Sequence, residues 1–477
     1  MNRGKALAKN TLIISFGTFL PKLAGVIVLP IITSELTKAE YGTYDLVSTL
    51  VLLFLPVVTL QVQMAAFRYL IDCRGDERRT KSIVSTILAS IVPMSVVSLT
   101  LLYLALGLPR LALPPLTRLQ ICGYFFFDIL LLTLQQTLRG LDKNKLYSVS
   151  AVVRAAVNML LVVLTVSGWH QGLTGALMSL MIAAAVGLLV VLLGGHIFGL
   201  LDLRLVNRAT LKELLNYSWP LIPNALSNWV LSFSDRAVLT AVKGLEAVAV
   251  YGAACKIPAL FSVAQSTFVF AWQENASIAL GDEDASKYYT RMFDEIFRIL
   301  VGIMAGLIAA APLLFRFFVR GDYADSYPHM PILFMAMLFS SVASFMSGIY
   351  VAHKRTRNVG ITTMVAAGIN LLIDLACVRW IGIYAASLST LISYFALALY
   401  RMLDAKRFQP MQYHWPRILL MLAGLTLMCV LNWMNRLPTD LVNVAVGLAL
   451  ALTANWSLLG KMKGIALRKL GKLKKRS

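Results

Sequence analysis

The amino-acid sequence predicts an all-α polytopic membrane protein with about 14 transmembrane helices. Of the 477 residues, 58% are apolar and only 14% are charged, and the mean hydropathy is +0.73. A soluble domain is roughly 25% charged, so this chain has too little polar surface to cover a globule in water. Long apolar stretches recur along the whole chain. The connections between them are short, about 5 to 20 residues each, which leaves no room for an extramembrane domain.

Each predicted span has about 20 predominantly apolar residues, the length that a helix needs to cross a hydrocarbon core of roughly 30 Å. Backbone in lipid must form its hydrogen bonds internally, so only helices or a closed barrel can span the membrane. The stretches lack the two-residue alternation of barrel strands, which favours helices. In chain order, the predicted spans are 11–33, 43–67, 83–107, 116–138, 147–167, 173–196, 216–239, 247–271, 294–318, 329–352, 360–380, 382–403, 417–434 and 441–459.

The distribution of basic residues predicts that both termini are cytoplasmic. With the N-terminus inside, about 30 of the 44 basic residues would lie in cytoplasmic segments and about six in the outside loops. An even number of spans returns the chain to the same side, where the tail 461–477 is strongly basic. The net charge of +21 is therefore attributed to topology and to contact with anionic membrane lipids, and not to nucleic-acid binding.

An internal repeat predicts two pseudo-symmetric six-helix bundles. Tyr41-Gly42-Thr43-Tyr44-Asp45 follows the first span, and Tyr251-Gly252-Ala253-Ala254-Cys255-Lys256 follows the seventh, 210 residues later. An even number of helices between the two copies gives them the same orientation, so a pseudo-two-fold axis would run along the membrane normal. The predicted organisation is a first bundle, a second bundle, a final helix pair and a basic cytoplasmic tail: 1–200, 201–410, 411–460 and 461–477.

Several ionisable residues fall inside the apolar spans. The four cations are Lys22, Arg154, Arg236 and Lys256, and the four acids are Asp45, Asp128, Asp235 and Asp374. Each cation costs roughly 2.5–3.5 kcal/mol near the bilayer centre, so it should face a water-filled interior or pair with a carboxylate. Pairing would join Lys22 to Asp45. It would also join Arg236 to the adjacent Asp235 or to another acid.

Prolines accompany the interior cations and are candidate hinges. A proline removes one helical hydrogen bond and kinks the helix, which is tolerated where the released carbonyl borders a cavity. Kinked helices that carry cations would suit an alternating-access cavity. The alternative is that proline is simply common in membrane helices. The candidate hinges are Pro21, Pro30, Pro220, Pro223 and Pro258.

Three runs of residues carry a family resemblance. The first is Leu29-Pro30-Ile31-Ile32-Thr33 with Glu40-Tyr41-Gly42-Thr43-Tyr44. The second is Ser218-Trp219-Pro220-Leu221-Ile222-Pro223, Leu226-Ser227-Asn228-Trp229, Asp235-Arg236, Tyr251-Gly252 and Lys256-Ile257. The third is Ala271-Trp272 with Ala285-Ser286-Lys287-Tyr288-Tyr289; Gln273-Glu274 departs from the family, which often has a proline there. Over nearly its whole length the chain resembles the Wzx-type polysaccharide-transporter flippases, whose superfamily also contains multidrug and lipid-linked oligosaccharide exporters.

The resemblance implies a flippase in the bacterial inner (plasma) membrane. It would move an undecaprenyl-diphosphate-linked oligosaccharide from the inner to the outer leaflet, with polysaccharide-assembly proteins as further partners. A diphosphate carries about two negative charges, which interior cations would bind through charge-assisted hydrogen bonds. The four interior cations are the candidates for this role. Candidate sugar contacts are Asn224, Asn228 and Trp229, and the last two predicted spans, 417–434 and 441–459, could hold the prenyl chain.

The sequence offers more than one energy source. It contains no Gly-x-x-x-x-Gly-Lys-Ser/Thr loop for ATP. An inside-negative potential favours outward movement of anions by roughly 2.3 kcal/mol per charge per 100 mV. Proton or sodium exchange through the interior acids is the other option. With no catalytic triad, metal-ligand cluster or dinucleotide loop, the sequence predicts a transporter without a cofactor or a metal, and not an enzyme.

Three alternatives stay open at this point. A cation-coupled multidrug exporter of the same superfamily would typically have twelve helices and acidic cavity groups. A flippase for the peptidoglycan lipid precursor would share the fourteen helices, and only a substrate assay separates it. A membrane glycosyltransferase or repeat-unit polymerase commonly carries a large outer loop with catalytic acids, and here every predicted outer loop is too short.

Overall fold

The computed structural model describes residues 3–109, 113–262, 284–434 and 438–455, together with the single positions 265, 269, 272, 275, 276, 279, 280 and 436. Side chains are described from Gly17 onwards, except that of Thr18. Within these ranges the regular structure is helical, and ten helices are long and apolar enough to cross a membrane. The chain is therefore a multi-pass helical membrane protein. The total of 14 spans and the cytoplasmic placement of both termini stay predictions.

The helices of the described residues follow one another along the chain. They are α1 (Arg3–Glu35), α2 (Lys38–Thr59), α3 (Val62–Asp72), α4 (Glu77–Ala105), α5 (Pro115–Gly140), α6 (Asn144–Val162), α7 (Gly172–Gly194), α8 (Arg208–Ser218), α9 (Ile222–Lys243), α10 (Leu245–Ala259), α11 (Ala285–Phe318), α12 (Met330–Ala352), α13 (Thr356–Ile381), α14 (Ile383–Ala405), α15 (Trp415–Met434) and α16 (438–455). A π-helical turn, Val163–Gly168, continues α6. The basic tail 461–477 and the positions Ala271, Gln273 and Glu274 lie outside the described residues.

The predicted span 43–67 consists of two helices, because the backbone turns at Leu60 and Gln61. Both residues are left-handed, with φ of 48° and 61°. Residues other than glycine rarely adopt this conformation, so the helix cannot continue through them. The Thr59 hydroxyl donates to the Leu55 carbonyl and accepts from the Gln61 amide, which supports the corner. Hydropathy does not report backbone handedness, so the sequence interpretation missed this break.

The predicted span 216–239 is also interrupted. Trp219–Leu221 forms a short 3₁₀ turn that separates α8 from α9, and Pro220 lies inside that turn. Pro223 lies in the first turn of α9, where the missing amide hydrogen disrupts no helical bond. By contrast, α1 runs continuously through Pro21 and Pro30, and Pro258 lies inside α10. The hinge role of these prolines stays a prediction.

The chain divides into two compact units. Unit 1 comprises Met1–Lys256, Phe318–Ala324 and Gly360–Ser389, and within it α1 packs on α6, and α5 and α6 pack on α7. Unit 2 comprises Ile257–Phe317, Asp325–Val359 and Thr390–Ser477, and within it α12 packs on α15. These units do not test the predicted boundaries at residues 200 and 410. The predicted boundaries describe the sequence repeat, and the two six-helix bundles remain a prediction.

Candidate anion-binding site

Asp45 lies between two cations in the interior of unit 1. Its side chain is inaccessible to solvent, while that of Arg236 is 6% exposed and that of Lys256 is 28% exposed. The Arg236 Nε donates to Asp45 Oδ2 at 2.6 Å, and the Lys256 Nζ donates to Asp45 Oδ1 at 3.0 Å. Each carboxylate oxygen therefore accepts from a different cation. Two positive charges face one negative charge, so this group of three keeps a net charge of +1 when all are ionised.

A capping box positions Asp45 within α2. The Thr37 hydroxyl accepts from the Glu40 amide, and the Glu40 carboxylate accepts from the Thr37 amide. This arrangement satisfies two of the amide groups that a helix leaves without partners at its N-terminus. The helix begins at Lys38, and Asp45 lies about two turns into it.

The two glycines of the internal repeat allow α2 and α10 to approach closely. A Cβ atom at Gly252 would lie 2.8 Å from Asp45 Oδ2, which is too close for a real side chain. A Cβ atom at Gly42 would lie 1.9 Å from the Leu245 carbonyl oxygen, where α10 begins. The Tyr-Gly pairs that identify the repeat thus supply the space that brings Asp45 to Lys256. The sequence revealed the repeat but not this role.

A second ion pair joins α5 to α6. The Arg154 Nη2 lies 2.8 Å from Asp128 Oδ1 and 3.4 Å from the Tyr124 hydroxyl, to which it donates. The Asp128 side chain is only 2% exposed, whereas that of Arg154 is 28% exposed. Asp128 is therefore the deeply buried member of the pair, and Arg154 is the member that solvent or a ligand could reach.

The unequal burial of this pair predicts an unequal response to mutation. Arg154→Ala leaves a buried carboxylate without its cation, so we expect a loss of about 3–5 kcal/mol of unfolding free energy, the range for breaking a buried pair. Asp128→Asn should cost less, because Arg154 can still turn toward water. Thermal unfolding of the purified protein in detergent measures both, with Arg154→Lys as the charge-conserving control. Equal losses for the two single variants would contradict this assignment.

The remaining two acids of the predicted set meet in a polar cluster. The Tyr251 hydroxyl donates to Asp235 Oδ2 at 2.5 Å, and the Ser389 hydroxyl donates to Asp374 Oδ1 at 3.0 Å. The Asn370 amide donates to Ser389 at 3.2 Å. The carboxyl groups of Asp235 and Asp374 are close enough to interact with each other. Two carboxyl groups that share a buried site repel each other when both are ionised.

The predicted sugar contacts divide into two kinds. Asn224 and Asn228 are exposed on α9, and the Asn228 amide donates to the Asn224 carbonyl at 2.9 Å. Trp229 is buried, and its indole N–H donates to the Thr49 carbonyl at 3.2 Å, which ties α9 to α2. The asparagines are therefore the members of this group that a ligand can reach.

The structure thus brings three of the four predicted cations to carboxylates. The sequence predicts that Arg236 pairs with Asp235 or with another acid if it does not face water, and in the structure it pairs with Asp45. Lys22 lies on α1 with an exposed side chain and takes part in an interaction of its own. Whether these cations bind substrate stays a prediction. Among the residues that the structure describes, no group of three or more His, Cys, Asp or Glu side chains is arranged to hold a metal ion.

The sequence interpretation missed several polar residues of these clusters. Tyr124, Asn370 and Ser389 carry no charge, so a search for ionisable residues within the apolar spans does not find them. Arg401 was overlooked because it lies near the end of its predicted span. It is buried in unit 2, where it donates to the Ala343 carbonyl and to the Ser347 hydroxyl. Tyr251 also belongs to these clusters, and its signal is visible in the sequence because it opens the second copy of the repeat.

Comparison with known proteins finds a family model that matches more than half of the chain. Residues 7–272 match the family model described as polysaccharide biosynthesis protein. This matched range contains all four predicted cations. No curated protein sequence matches the chain.

Solved structures of the same fold are similar over most of the chain. The lipid II flippase MurJ, in an inward closed conformation, has a TM-score of 0.71 and 15% identity, with 94% of this chain and 99% of that chain covered. An inward-facing multidrug resistance MATE family transporter of the MOP superfamily has a TM-score of 0.66 and 15% identity, with coverage of 87% and 96%. A MOP superfamily transporter from Pyrococcus furiosus, described as having a binding pocket of reverse polarity, has a TM-score of 0.57 and 15% identity, with coverage of 84% and 96%. At these identities the likeness shows the fold alone.

Proposed function

The chain belongs to the polysaccharide biosynthesis protein family, and we therefore propose that it is a flippase for an undecaprenyl-diphosphate-linked oligosaccharide. It moves this polysaccharide repeat unit from the inner to the outer leaflet of the bacterial plasma membrane by alternating access. Its cations bind the diphosphate headgroup. The exposed asparagines Asn224 and Asn228 contact the sugars.

The observation that carries this proposal is that two cations meet at the single carboxylate of Asp45. Arg236 and Lys256 meet at one carboxylate, and a buried charge is costly unless it is compensated. Within this group of three, two cations outnumber one acid, which suits an anionic ligand because fixed cations in a medium of low dielectric attract anions strongly. Arginine and lysine are the residues that bind phosphate groups in proteins, arginine with a rigid fork and lysine as a point charge.

The family and the charge pattern also bear on the alternatives. A multidrug exporter that takes cationic compounds would need an acidic pocket, whereas the Asp45 group is positive. A flippase for the peptidoglycan lipid precursor is the second candidate, because the fold is similar to that of the lipid II flippase MurJ. Both candidates would move a lipid-linked sugar, and the identity of the accumulated lipid distinguishes them.

The membrane potential can drive the proposed movement. Two negative charges that move outward through 100 mV gain about 4–5 kcal/mol. Exchange for a proton is the alternative, and it is supported by the proximity of the buried Asp235 and Asp374 carboxyl groups, which repel each other when both are ionised. Exchange for sodium through the interior acids is the remaining option.

Depletion of the protein tests the proposed function directly. We expect lipid-linked repeat units to accumulate in the inner leaflet and surface polysaccharide to disappear, because the polymer cannot be assembled without substrate on the outer side. Extraction and mass spectrometry measure the total amount of the lipid-linked intermediates, and re-expression of the protein is the control. Accumulation of the peptidoglycan lipid precursor would instead support the second candidate. Unchanged levels of both lipids would contradict a flippase function.

A further inference from the structure

We propose that Asp45 is an internal counter-anion: its carboxylate occupies the position of a substrate phosphate between Arg236 and Lys256 until the diphosphate headgroup displaces it. This inference rests on the proposed function, because it concerns the same anion-binding site. It assigns Asp45 a role in affinity and specificity that differs from ion coupling and from a purely structural ion pair.

The geometry of the Asp45 carboxylate resembles that of a bound phosphate group. Its two oxygens accept from two different cations, at 2.6 Å from Arg236 Nε and 3.0 Å from Lys256 Nζ. Charge-assisted bonds to phosphate oxygens have the same donors and similar lengths. An arginine has five N–H donors and a lysine has three, so one carboxylate cannot saturate both cations. The pair therefore keeps donors that an incoming anion can engage before the Asp45 carboxylate leaves.

Charge favours a dianion over the carboxylate. Two cations and one carboxylate leave a net charge of +1, whereas a diphosphate with about two negative charges would neutralise both cations once the Asp45 carboxylate has turned away from them. A monoanion offers no gain over Asp45, and a neutral or cationic ligand cannot replace it. The exchange would therefore select for the phosphate part of the substrate.

The exposure of the three side chains defines a route for the exchange. Lys256 is 28% exposed, whereas Arg236 and Asp45 are 6% and 0% exposed. An incoming anion would meet Lys256 first and reach Arg236 only as Asp45 leaves. The arrangement also lowers the apparent affinity. Only the fraction of molecules in which Asp45 has left the cations can bind, and the apparent affinity is the intrinsic affinity multiplied by that fraction.

The test compares pyrophosphate binding by the purified full-length protein and its Asp45→Asn variant. Asparagine has nearly the same shape but no charge, so we expect isothermal titration calorimetry with inorganic pyrophosphate to show about tenfold or greater tightening. Transport should nevertheless fall, because the tightly held headgroup is released slowly. Asp404→Asn is the matched control, since it removes a largely buried carboxylate that accepts from a hydroxyl group, Tyr350, and takes no part in the Asp45 group. Its affinity for pyrophosphate should equal that of the wild type.

The outcomes separate this inference from the proposed function. If Asp45→Asn binds pyrophosphate as the wild type does, or more weakly, Asp45 only holds the cations in place and the inference is overturned. In that case, loss of binding in Arg236→Ala would still support the cationic site. If pyrophosphate binds to neither the wild type nor Asp45→Asn, the cations are not an anion site, and the diphosphate role itself fails.

Gly252→Ala provides a second variant if Asp45→Asn does not fold. The added methyl group would lie 2.8 Å from Asp45 Oδ2 and 2.9 Å from Cγ, atoms at the far end of a side chain that can rotate away. This change displaces the carboxylate but keeps its charge and the two cations. We again expect tighter pyrophosphate binding, by a smaller factor than for Asp45→Asn. Unchanged binding in a folded Gly252→Ala protein would also overturn the inference.

Discussion

Replacement of Arg236 with alanine is expected to abolish surface polysaccharide, the largest functional effect predicted for a single side chain of this protein. Arg236 is buried and supplies the 2.6 Å bond to Asp45, and in the proposed function it binds the diphosphate. A hydrogen bond to a charged group contributes about 1.5–3 kcal/mol, which corresponds to a loss of affinity of about 10- to 100-fold. Immunodetection of surface polysaccharide, with membrane levels of the protein measured in parallel, reports the effect.

Two further variants distinguish binding from folding in this experiment. Lys243→Ala is the matched control, because it removes an exposed lysine near the end of the same helix and should leave export unchanged. Lys22→Ala should also abolish export while membrane levels stay normal, because Lys22 is one of the proposed phosphate ligands. Loss of the protein from the membrane in Arg236→Ala would indicate a structural ion pair and would count against the phosphate-binding role.

A methyl group added at Gly42 is expected to destabilise unit 1 strongly. The Cβ atom of Gly42→Ala would lie 1.9 Å from the Leu245 carbonyl oxygen and 2.7 Å from the carbonyl carbon. These are backbone atoms, so they cannot move aside as a side-chain tip can, and α2 and α10 must separate. Overpacking typically costs about 1–3 kcal/mol, and we expect a loss at or above the upper end of that range.

Gly368→Ala is the matched control for this change. Gly368 lies inside α13, and a Cβ atom there would meet no other atom within 4 Å. Alanine is a better helix former than glycine by about 1 kcal/mol, so this variant should unfold at the same or a higher temperature. Thermal unfolding in detergent compares the two variants. If Gly42→Ala were as stable as Gly368→Ala, the close contact between α2 and α10 would not be required for folding.

The main features of the fold could be predicted from hydropathy and charge. Helices of the structure overlap the predicted spans because about 20 apolar residues with internally bonded backbone can hardly adopt another conformation in lipid. The two interruptions have different origins. The left-handed backbone at Leu60 and Gln61 has no hydropathy signal. The 3₁₀ turn at Pro220 has a visible cause, but a proline within a membrane span can also kink a helix without ending it.

By itself, the sequence determined that this is a helical membrane protein of the polysaccharide biosynthesis family, and it identified the residues that carry charge within the spans. Only the tertiary structure decided which charges meet. Asp45 is 191 residues from Arg236 and 211 residues from Lys256, so their contact depends on the packing of α2, α9 and α10 and not on any local spacing. That packing depends in turn on two glycines whose only contribution is the absence of a side chain. The sequence shows where these glycines are, but it does not show which neighbouring atoms a larger side chain would contact.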